Sequence, residues 1–345
     1  MGVSYQTVLW NKNKKRYDRW IVIAVVLFLV LFAGVTIAVN GDTSVETLII
    51  RAFGVLAIAL LHIILVIGPL ARLNPAFLPL LYNRRHLGVS MFLAALIHGG
   101  FSLFQFHALG DVNPIRSLFT SNMEYDSLTE FPFQVLGFFA LIILFLMAAT
   151  SHDFWLKNLS PKVWKRLHMM VYLAYGLIIM HVFLGAFQQQ ESFLAVGVLS
   201  IGFLGIAGLH ITVGMREVRR DKSQAQEARD GYVLVCQWDE IPEDRAKIFT
   251  LKEERIAIFK YEGKLSAVSN RCKHQGGPLG EGKIVDGCIT CPWHGYQYLP
   301  HNGQSPPPFT EKIATYRLRV EGTKVYVHPE ALEEGTEVTP LLISN

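Results

Sequence analysis

The sequence predicts a membrane-embedded, all-α bundle of six helices that is followed by a small, C-terminal, all-β domain. Two observations support this fold class. The 345 residues are 51% hydrophobic and only 17% charged, a composition that is too apolar for a soluble protein of this size. The charge is also unevenly distributed, because long apolar runs between short charged loops give way to a mixed composition after about Met215. We therefore expect two domains.

Six apolar runs are long enough to cross a bilayer as helices, since each residue of a helix rises by about 1.5 Å. We expect these spans at residues 20–39, 48–69, 87–106, 133–150, 163–187 and 193–213. The domain limits that follow are a basic N-terminus at 1–19, the six-helix domain at 20–215, a linker at 216–229, the β domain at 230–332 and a C-terminal tail at 333–345.

The charges in the loops predict how the spans cross the membrane. Basic residues are concentrated after the second, fourth and sixth spans: Arg72, Arg84, Arg85, Lys157, Lys162, Lys165, Arg166, Arg216, Arg219 and Arg220. Basic loops stay on the cytoplasmic side of a membrane. We therefore expect a multi-pass protein of the cell inner membrane with both termini in the cytoplasm. The net charge of +4 belongs to this topology, so membrane lipid is an expected partner and nucleic acid is not.

The C-terminal part has the pattern of a small β domain. Short β-branched or alternating runs occur at 232–236, 248–251, 255–261, 264–269, 313–320 and 324–328, and Gly, Pro or charged turns separate them. Such runs predict strands. This part of the sequence has no dinucleotide-binding fingerprint, so the chain is not expected to take hydride from NAD(P)H itself.

Two short loops of this domain carry paired metal ligands. The first loop has the pattern Cys272-x-His274, and the second has the pattern Cys291-x-x-His294. Thiolate and imidazole ligands in this number suit either an iron–sulfur cluster or a structural zinc ion. The spacing favours the cluster, because zinc fingers usually place two histidines together after a cysteine pair, whereas each loop here is mixed.

With these two loops the sequence resembles the Rieske iron–sulfur family, in which one iron of a [2Fe–2S] cluster binds two cysteines and the other binds two histidines. The resemblance implies that such a cluster is held by Cys272, His274, Cys291 and His294. High-potential members of the family have a further cysteine in each loop, where this chain has Gly277 and Trp293, and a serine where it has Tyr296. The resemblance is therefore to the lower-potential, oxygenase-ferredoxin-like branch. The segment 305–309 resembles the family's proline loop, which shields the cluster from water.

Four histidines fall inside the predicted spans: His62, His98, His168 and His181. Ionisable side chains are costly in a bilayer and are candidates for function. A single histidine in a span is, however, more often a packed imidazole that bonds to a neighbouring helix. The segments 83–88 and 160–168, which precede His98 and His181, resemble the ferric-reductase-like transmembrane domain. This resemblance implies that the histidines bind haem b.

Depth along the helices predicts how the four histidines pair. His98 and His181 lie roughly 22 and 27 Å from the cytoplasmic ends of their spans, toward the outer leaflet. His62 and His168 lie at roughly 8–11 Å, nearer the inner face. We therefore expect one haem between His98 and His181 and a second, inner haem between His62 and His168, so that the chain holds one or two haems. The family's use of the third and fifth helices makes His86 the competing inner ligand.

The two resemblances together imply a transmembrane electron-transfer oxidoreductase. Electrons would pass between a cytoplasmic Rieske cluster and membrane haem b, toward an acceptor at the outer face. The expected donor is a cytoplasmic ferredoxin or flavin reductase, and the expected acceptor is a quinone or an outer-face redox partner. The alternative is a six-helix transporter or channel that the Rieske domain gates as a redox sensor. The spans lack the interior acidic residues and the evident repeat that would favour this alternative.

Overall fold

The computed structural model describes residues 12–151, 155, 159, 161–188, 193–222, 228–251, 254–274, 276–293 and 295–343. Its internal contacts divide the chain into two compact units. One unit contains Lys12–Leu70 and Asn83–Ile211, and the other contains Ala71–Tyr82 and the described part of Thr212–Asn345. The first unit is helical, and the second contains the strands that the structure describes.

The described α-helices follow the predicted spans. They are α1 (Lys12–Val39), α2 (Val45–Leu73), α3 (Leu78–His107), α4 (Pro114–Thr120), α5 (Phe133–Ala149), α6 (Pro161–Met169), α7 (Val171–Gln188) and α8 (Phe193–Lys222). Among the described residues, five helical segments are long and apolar enough to cross a membrane: Lys15–Val39, Val45–Leu73, Arg84–His107, Val163–Gln188 and Val196–Val218. The shorter apolar helix Phe133–Ala149 coincides with the remaining predicted span. The predicted helical membrane domain is thus confirmed.

The number of helices requires a correction. The described part of the chain contains more than the six predicted helices, because α4 is additional and the fifth predicted span is divided into α6 and α7. The division lies at Met170, where the backbone N–H bonds to the carbonyl of Leu167, three residues earlier, at 3.1 Å. A bond over three residues tightens the helical turn, and this tightening separates α6 from α7.

His210 of α8 replaces a backbone hydrogen bond that is missing from α2. Helix α2 continues through Pro69, which has no N–H and therefore leaves the carbonyl of Leu65 without its helical donor. The Nε2–H of His210 donates to this carbonyl at 3.0 Å. An apolar surrounding makes such a replacement donor necessary, so His210 has a structural role in joining two helices.

His107, at the end of α3, has a comparable structural role. Its side chain is buried and lies between two polar groups from later in the chain. Nδ1 is 3.0 Å from the hydroxyl of Ser117 in α4, and Nε2 is 2.7 Å from the amide oxygen of Gln134 in α5. Both ring nitrogens are therefore used in connecting α3 to the next two helices.

The described part of the β domain forms three antiparallel sheets. The described strands are β1 (Ala228–Arg229), β2 (Tyr232–Gln237), β3 (Arg245–Leu251), β4 (Glu254–Tyr261), β5 (Lys264–Ser269), β6 (Lys283–Val285), β7 (Cys288–Thr290), β8 (Gln297–Tyr298), β9 (Thr315–Tyr316), β10 (Leu318–Glu321), β11 (Lys324–Val327) and β12 (Leu341–Leu342). One sheet has the order β1-β2-β11-β10, the second has β12-β5-β4-β3 with β9 also paired to β5, and the third has β6-β7-β8. The predicted all-β domain is confirmed.

Strand β4 separates two apolar cores. Because side chains alternate along a strand, Ile256 and Ile258 face one core, which also contains Phe249 and Tyr316. Ala257 and Phe259 face the other core. This second core also contains the cysteines and tyrosines of the two ligand loops: Cys272, Cys291, Tyr296 and Tyr298. The fold thus builds the two ligand loops on a packed, apolar base.

Candidate functional site

The two ligand loops of the β domain have the same backbone arrangement. The first loop follows β5, and the second joins β7 to β8. In the first loop the N–H of Cys272 donates to the carbonyl of Gly277 (2.9 Å), and the N–H of Gly276 donates to the carbonyl of Cys272 (2.7 Å). In the second loop the N–H groups of Cys291 and Gly295 donate the same two bonds, at 2.8 and 2.9 Å. Each cysteine is therefore fixed by a tight turn within its own loop.

Three glycines allow the loops to turn and to meet. Gly276 and Gly295 have φ angles of 72° and 73°, in the left-handed region that residues with a side chain rarely adopt. A methyl group added at Gly277 would lie 2.8 Å from the Sγ of Cys291. The first loop therefore packs directly against the cysteine of the second, which brings the two halves of the predicted ligand set together.

The predicted ligands are only partly described by the structure. Cys272 and Cys291 are buried, His274 is half-buried, and His294 lies outside the described residues. Two thiolates and one imidazole on paired loops are three of the four donors that a Rieske [2Fe–2S] cluster requires. The donor set of the described residues therefore fits this cluster.

Tyr298 interacts with a predicted ligand sulfur. Its hydroxyl lies 3.4 Å from the Sγ of Cys272 and accepts a bond from the N–H of Lys273 at 3.0 Å. Burial raises the pKa of Tyr298, and the neighbouring Cys272 raises this pKa further. The phenol therefore keeps its proton and can donate it toward the sulfur. A donor to a ligand sulfur favours the reduced form of an iron–sulfur cluster.

In the helical unit, His98 of α3 and His181 of α7 lie next to each other. Their ring centres are 6.1 Å apart, and their ring planes are inclined at 83°. Two imidazoles whose ring centres are roughly 6 Å apart could both bind one metal ion, because metal–nitrogen bonds are about 2.0–2.1 Å long. The structure thus brings together the two histidines of the expected outer pair, at a spacing that fits one haem iron.

Each of these two imidazoles is held by a neighbouring helix. The Nδ1–H of His98 donates to the carbonyl of Ile50 in α2 at 2.9 Å, and the Nδ1–H of His181 donates to the carbonyl of Phe133 in α5 at 2.8 Å. These bonds determine the tautomer, since the proton is on Nδ1 in both rings. Each Nε2 is left with a lone pair, as a metal ligand requires.

A glycine lies four residues after each of the two acceptors. Gly54 follows Ile50 in α2, and Gly137 follows Phe133 in α5. A methyl group added at Gly54 would lie 2.8 Å from the Nδ1 of His98, and one added at Gly137 would lie 2.8 Å from the Nδ1 of His181. Because the carbonyl of residue i in a helix points toward residue i+4, a glycine there lets the imidazole reach it. We call each acceptor and its glycine, Ile50 with Gly54 and Phe133 with Gly137, a carbonyl–glycine notch.

His62, which the sequence assigns to the inner pair, is held differently. Its Nδ1–H donates to the carbonyl of Ile58, four residues earlier in its own helix, at 2.8 Å. Its Nε2 accepts the hydroxyl of Tyr175 at 3.2 Å. A methyl group added at Gly202 would lie 2.8 Å from this same nitrogen. Both ring nitrogens of His62 thus have partners within the protein.

His168, the expected partner of His62, also bonds within its own helical region. Its Nδ1–H donates to the carbonyl of Trp164 at 3.1 Å, and its ring stacks on the Trp164 indole with centres 3.7 Å apart. Its Nε2 lies 3.4 Å from the hydroxyl of Ser151. The structure therefore gives His62 and His168 different partners, and a haem between them stays a prediction.

His86, the competing inner ligand, forms a hydrogen bond with a residue of α1. Its Nδ1 lies 2.6 Å from the carboxylate of Asp18. A carboxylate on Nδ1 is also the support that many metal-binding histidines have. His86 therefore remains an alternative to His62 as the ligand of an inner haem.

Comparison with known proteins identifies both parts of the chain. Residues 231–317 match the model of the Rieske [2Fe-2S] domain, and residues 53–179 match that of the ferric reductase like transmembrane component. The first match contains all four predicted cluster ligands. The second contains His62, His98 and His168 and ends just before His181.

Curated relatives of the β domain are iron–sulfur proteins by name. The ferredoxin component of the alkene monooxygenase system of Xanthobacter autotrophicus is 31% identical over 107 residues, which are 31% of this chain and 88% of the relative. The biphenyl dioxygenase ferredoxin subunit of a Pseudomonas species is 31% identical over 28% of this chain and 90% of its own length. A human Rieske domain-containing protein is 34% identical over 33% of this chain and 77% of its own length.

These matches agree with the structure of each part. The β domain has the paired loops and the buried cysteines that suit a [2Fe–2S] cluster, and a tyrosine hydroxyl lies near one of the two sulfurs. The helical unit has several apolar helices that can cross a membrane. The chain therefore belongs to the Rieske [2Fe–2S] family, joins this domain to a ferric-reductase-like transmembrane component, and is an electron-transfer oxidoreductase of the multi-pass membrane class.

Proposed function

We propose that this oxidoreductase transfers electrons between its Rieske cluster and a haem b that His98 and His181 hold. The observation that carries the proposal is the outer pair of histidines, whose ring centres are 6.1 Å apart and whose Nδ1–H groups are both bound to neighbouring helices. Two imidazoles so oriented leave two Nε2 lone pairs for one iron. The Rieske and ferric-reductase-like matches support electron transfer as the reaction class.

The residues of the chain would hold, orient and insulate the two cofactors. We propose that the cluster is bound by Cys272, His274, Cys291 and His294. When bound, the cluster and the haem each supply a one-electron redox centre. The backbone acceptors of the outer pair raise the basicity of the two ligating nitrogens, and the Tyr298 hydroxyl favours the reduced form of the cluster through Cys272.

The proposed direction is from the cytoplasm outward. Its support is the basic loop charge, which favours cytoplasmic termini in the cell inner membrane and hence a cytoplasmic β domain. A cytoplasmic ferredoxin or flavin reductase would then be the donor. The acceptor would be a quinone or a redox partner at the outer face, because the outer pair lies in the outer half of α3 and α7 under this topology.

The proposal includes one haem rather than two. An inner haem between His62 and His168 would require the Tyr175 hydroxyl to leave the Nε2 of His62. It would also require His168 to turn from Ser151 and Trp164 toward a different partner. These two rearrangements make the outer pair the better supported site.

The test is a spectrum followed by a rapid-mixing experiment on the purified, full-length protein. We expect b-type haem bands and a Rieske EPR signal in a ratio near one to one. After mixing with chemically reduced ferredoxin, the absorbance of the cluster should change before that of the haem. If a quinol reduces the haem before the cluster, electrons flow in the opposite direction. A membrane domain without haem would instead favour the redox-sensor alternative.

A further inference from the structure

Tyr296 lies where three loops of the Rieske domain meet. It follows Gly295 at the end of the second ligand loop and is only 4% exposed. Its ring stacks on the imidazole of His274, in the first ligand loop, with centres 4.9 Å apart and planes inclined at 10°. Phe309, the last residue of the proline loop, meets the Tyr296 ring edge-on with centres 4.9 Å apart. One side chain therefore connects all three loops around the predicted cluster.

The hydroxyl of Tyr296 is anchored by a residue that follows the proline loop. It donates to the carboxylate of Glu311. The same carboxylate accepts the N–H of Thr310 at 3.1 Å, and the backbone carbonyl of Glu311 accepts the N–H of Ser305 at 2.9 Å. Glu311 thus ties Tyr296 to both ends of the proline loop and restricts the rotation of the tyrosine ring.

The alternative is that Tyr296 only fills the core. It does belong to the apolar core behind the ligand loops, and a packed aromatic ring would be buried there in any orientation. Two observations go beyond packing. The ring lies nearly parallel to a predicted ligand, and the phenol has a carboxylate acceptor that holds it in this plane. Aromatic pairs have a preferred geometry that stabilises them beyond burial alone, so the stacked Tyr296 ring favours one orientation of the histidine ring.

We propose that Tyr296 is a positioning residue for the Rieske cluster: its ring sets the plane of the His274 imidazole and covers that face against water, and Glu311 holds the ring in place. This inference rests on the proposed cluster ligation. It gives position 296 a different role from the serine of high-potential members, because here the side chain acts on the histidine side of the site.

The test compares replacements at position 296 in full-length protein by the EPR g values of the reduced cluster. These values report the geometry at the iron that binds histidine. Tyr296→Phe keeps the ring and loses only the hydroxyl, so we expect wild-type g values and a severalfold faster loss of the cluster on mild heating. Tyr296→Leu removes the stacked ring, and we expect shifted g values together with cluster loss that is about tenfold faster or more.

Replacements at Glu311 and a matched control test the anchor. Glu311→Gln keeps an acceptor for the phenol, so we expect it to lose the cluster more slowly than Glu311→Ala does. Tyr316 is the control, because it is also buried and its hydroxyl donates to a carboxylate, that of Glu254, at 2.8 Å, but it belongs to the other core. Tyr316→Phe should leave the g values unchanged.

The outcomes separate this inference from the proposed function. Wild-type g values and a wild-type rate of cluster loss in Tyr296→Leu would overturn the positioning role. If Tyr296→Leu does not assemble a cluster, the Glu311 variants decide, and wild-type rates of cluster loss in both would overturn it. A wild-type protein without a Rieske EPR signal would instead contradict the cluster ligation on which the inference rests.

Discussion

The outer and inner pairs of intramembrane histidines are held in opposite ways. His98 and His181 each bond to a carbonyl of another helix, at a carbonyl–glycine notch. His62 and His168 each bond to a carbonyl four residues earlier in their own helical region. The first arrangement exists only when two helices are in contact, whereas the second can form in one helix alone.

This difference shows which histidines are oriented for metal binding by the packing of the helices. A bond to the same helix restricts the side chain but does not direct it to a particular neighbour. A bond across helices determines the tautomer, the ring orientation and the distance to the facing ring together. Supporting bonds of this kind are a general feature of metal-binding histidines. The outer pair therefore has the features of a prepared ligand site, and the inner pair does not.

The largest expected effect is the loss of haem when either outer histidine is replaced. His98→Ala or His181→Ala should weaken haem binding by more than about 100-fold, because a ligand is lost rather than merely its support. Haem content per protein, from the pyridine haemochrome spectrum, is the measurement. His107→Gln is the control, since His107 is a buried histidine of α3 with structural bonds. Full haem content in either alanine variant would refute the outer site.

The next effect tests the notches directly. Gly54→Ala or Gly137→Ala should weaken haem binding about tenfold, because a methyl group 2.8 Å from the Nδ1 forces the imidazole off its acceptor. Gly202→Ala places a methyl group at the same 2.8 Å from a nitrogen of His62, so it is the matched inner variant and should leave haem content unchanged. Gly100→Ala is the neutral control, since nothing lies within 4 Å of an added methyl group there.

Equal losses of haem from the Gly54 and Gly202 variants would remove the distinction between the two pairs. Haem affinity can be measured by titration of the haem-depleted membrane protein. If a glycine variant shifts the reduction potential of the haem but leaves its affinity unchanged, the notch tunes the ligand and does not contribute to haem binding.

A smaller effect is expected at His62. Its two ring nitrogens bond to the Ile58 carbonyl and the Tyr175 hydroxyl, so His62→Ala should keep the haem content and lower stability by about 1 kcal/mol. Tyr175→Phe, which removes only the hydroxyl, should have a similar or smaller effect on stability. Thermal unfolding followed by haem absorbance measures both quantities. Loss of one of two haems in His62→Ala would support the inner pair that the sequence predicts.

The smallest effect is expected for Asp18→Asn. The contact of Asp18 with His86 is partly exposed, and partly exposed pairs of this kind contribute about 0–1 kcal/mol. We therefore expect unchanged haem content and a shift in the unfolding temperature of a few degrees at most. If the haem content falls instead, Asp18 supports a metal-binding His86, and the inner site belongs to α3 rather than to α2.

The cluster loops could be predicted from the sequence because their structure is local. Cys272 and His274 are two residues apart, and the turn that holds each cysteine closes within six residues of the chain. The long strands and apolar helices were predicted for the same reason, since each has its own periodicity. The sheet β6-β7-β8 was missed because strands of two or three residues are too short to show a period.

The helical site could be predicted only in part. Counting residues along a helix gives the height of each histidine, and the heights group His98 with His181, whose ring centres lie 6.1 Å apart. Their role as haem ligands stays a prediction. Height says nothing about rotation around the helix axis, which decides that the Nε2 of His62 meets the hydroxyl of Tyr175. The notch glycines Gly54 and Gly137 were also missed. In sequence they are two among many glycines in apolar runs, and they become distinct only when a neighbouring imidazole lies against them.

The bond from His210 to the Leu65 carbonyl makes two distant positions mutationally dependent on each other. The carbonyl lacks a helical donor only because residue 69 is proline. With Pro69 present, loss of His210 leaves an unsatisfied carbonyl in an apolar surrounding. With a residue other than proline at position 69, its backbone N–H can donate to the Leu65 carbonyl. His210 is then no longer needed as a donor. The order of substitutions therefore matters: a chain of this kind can lose His210 at low cost only after it has lost Pro69.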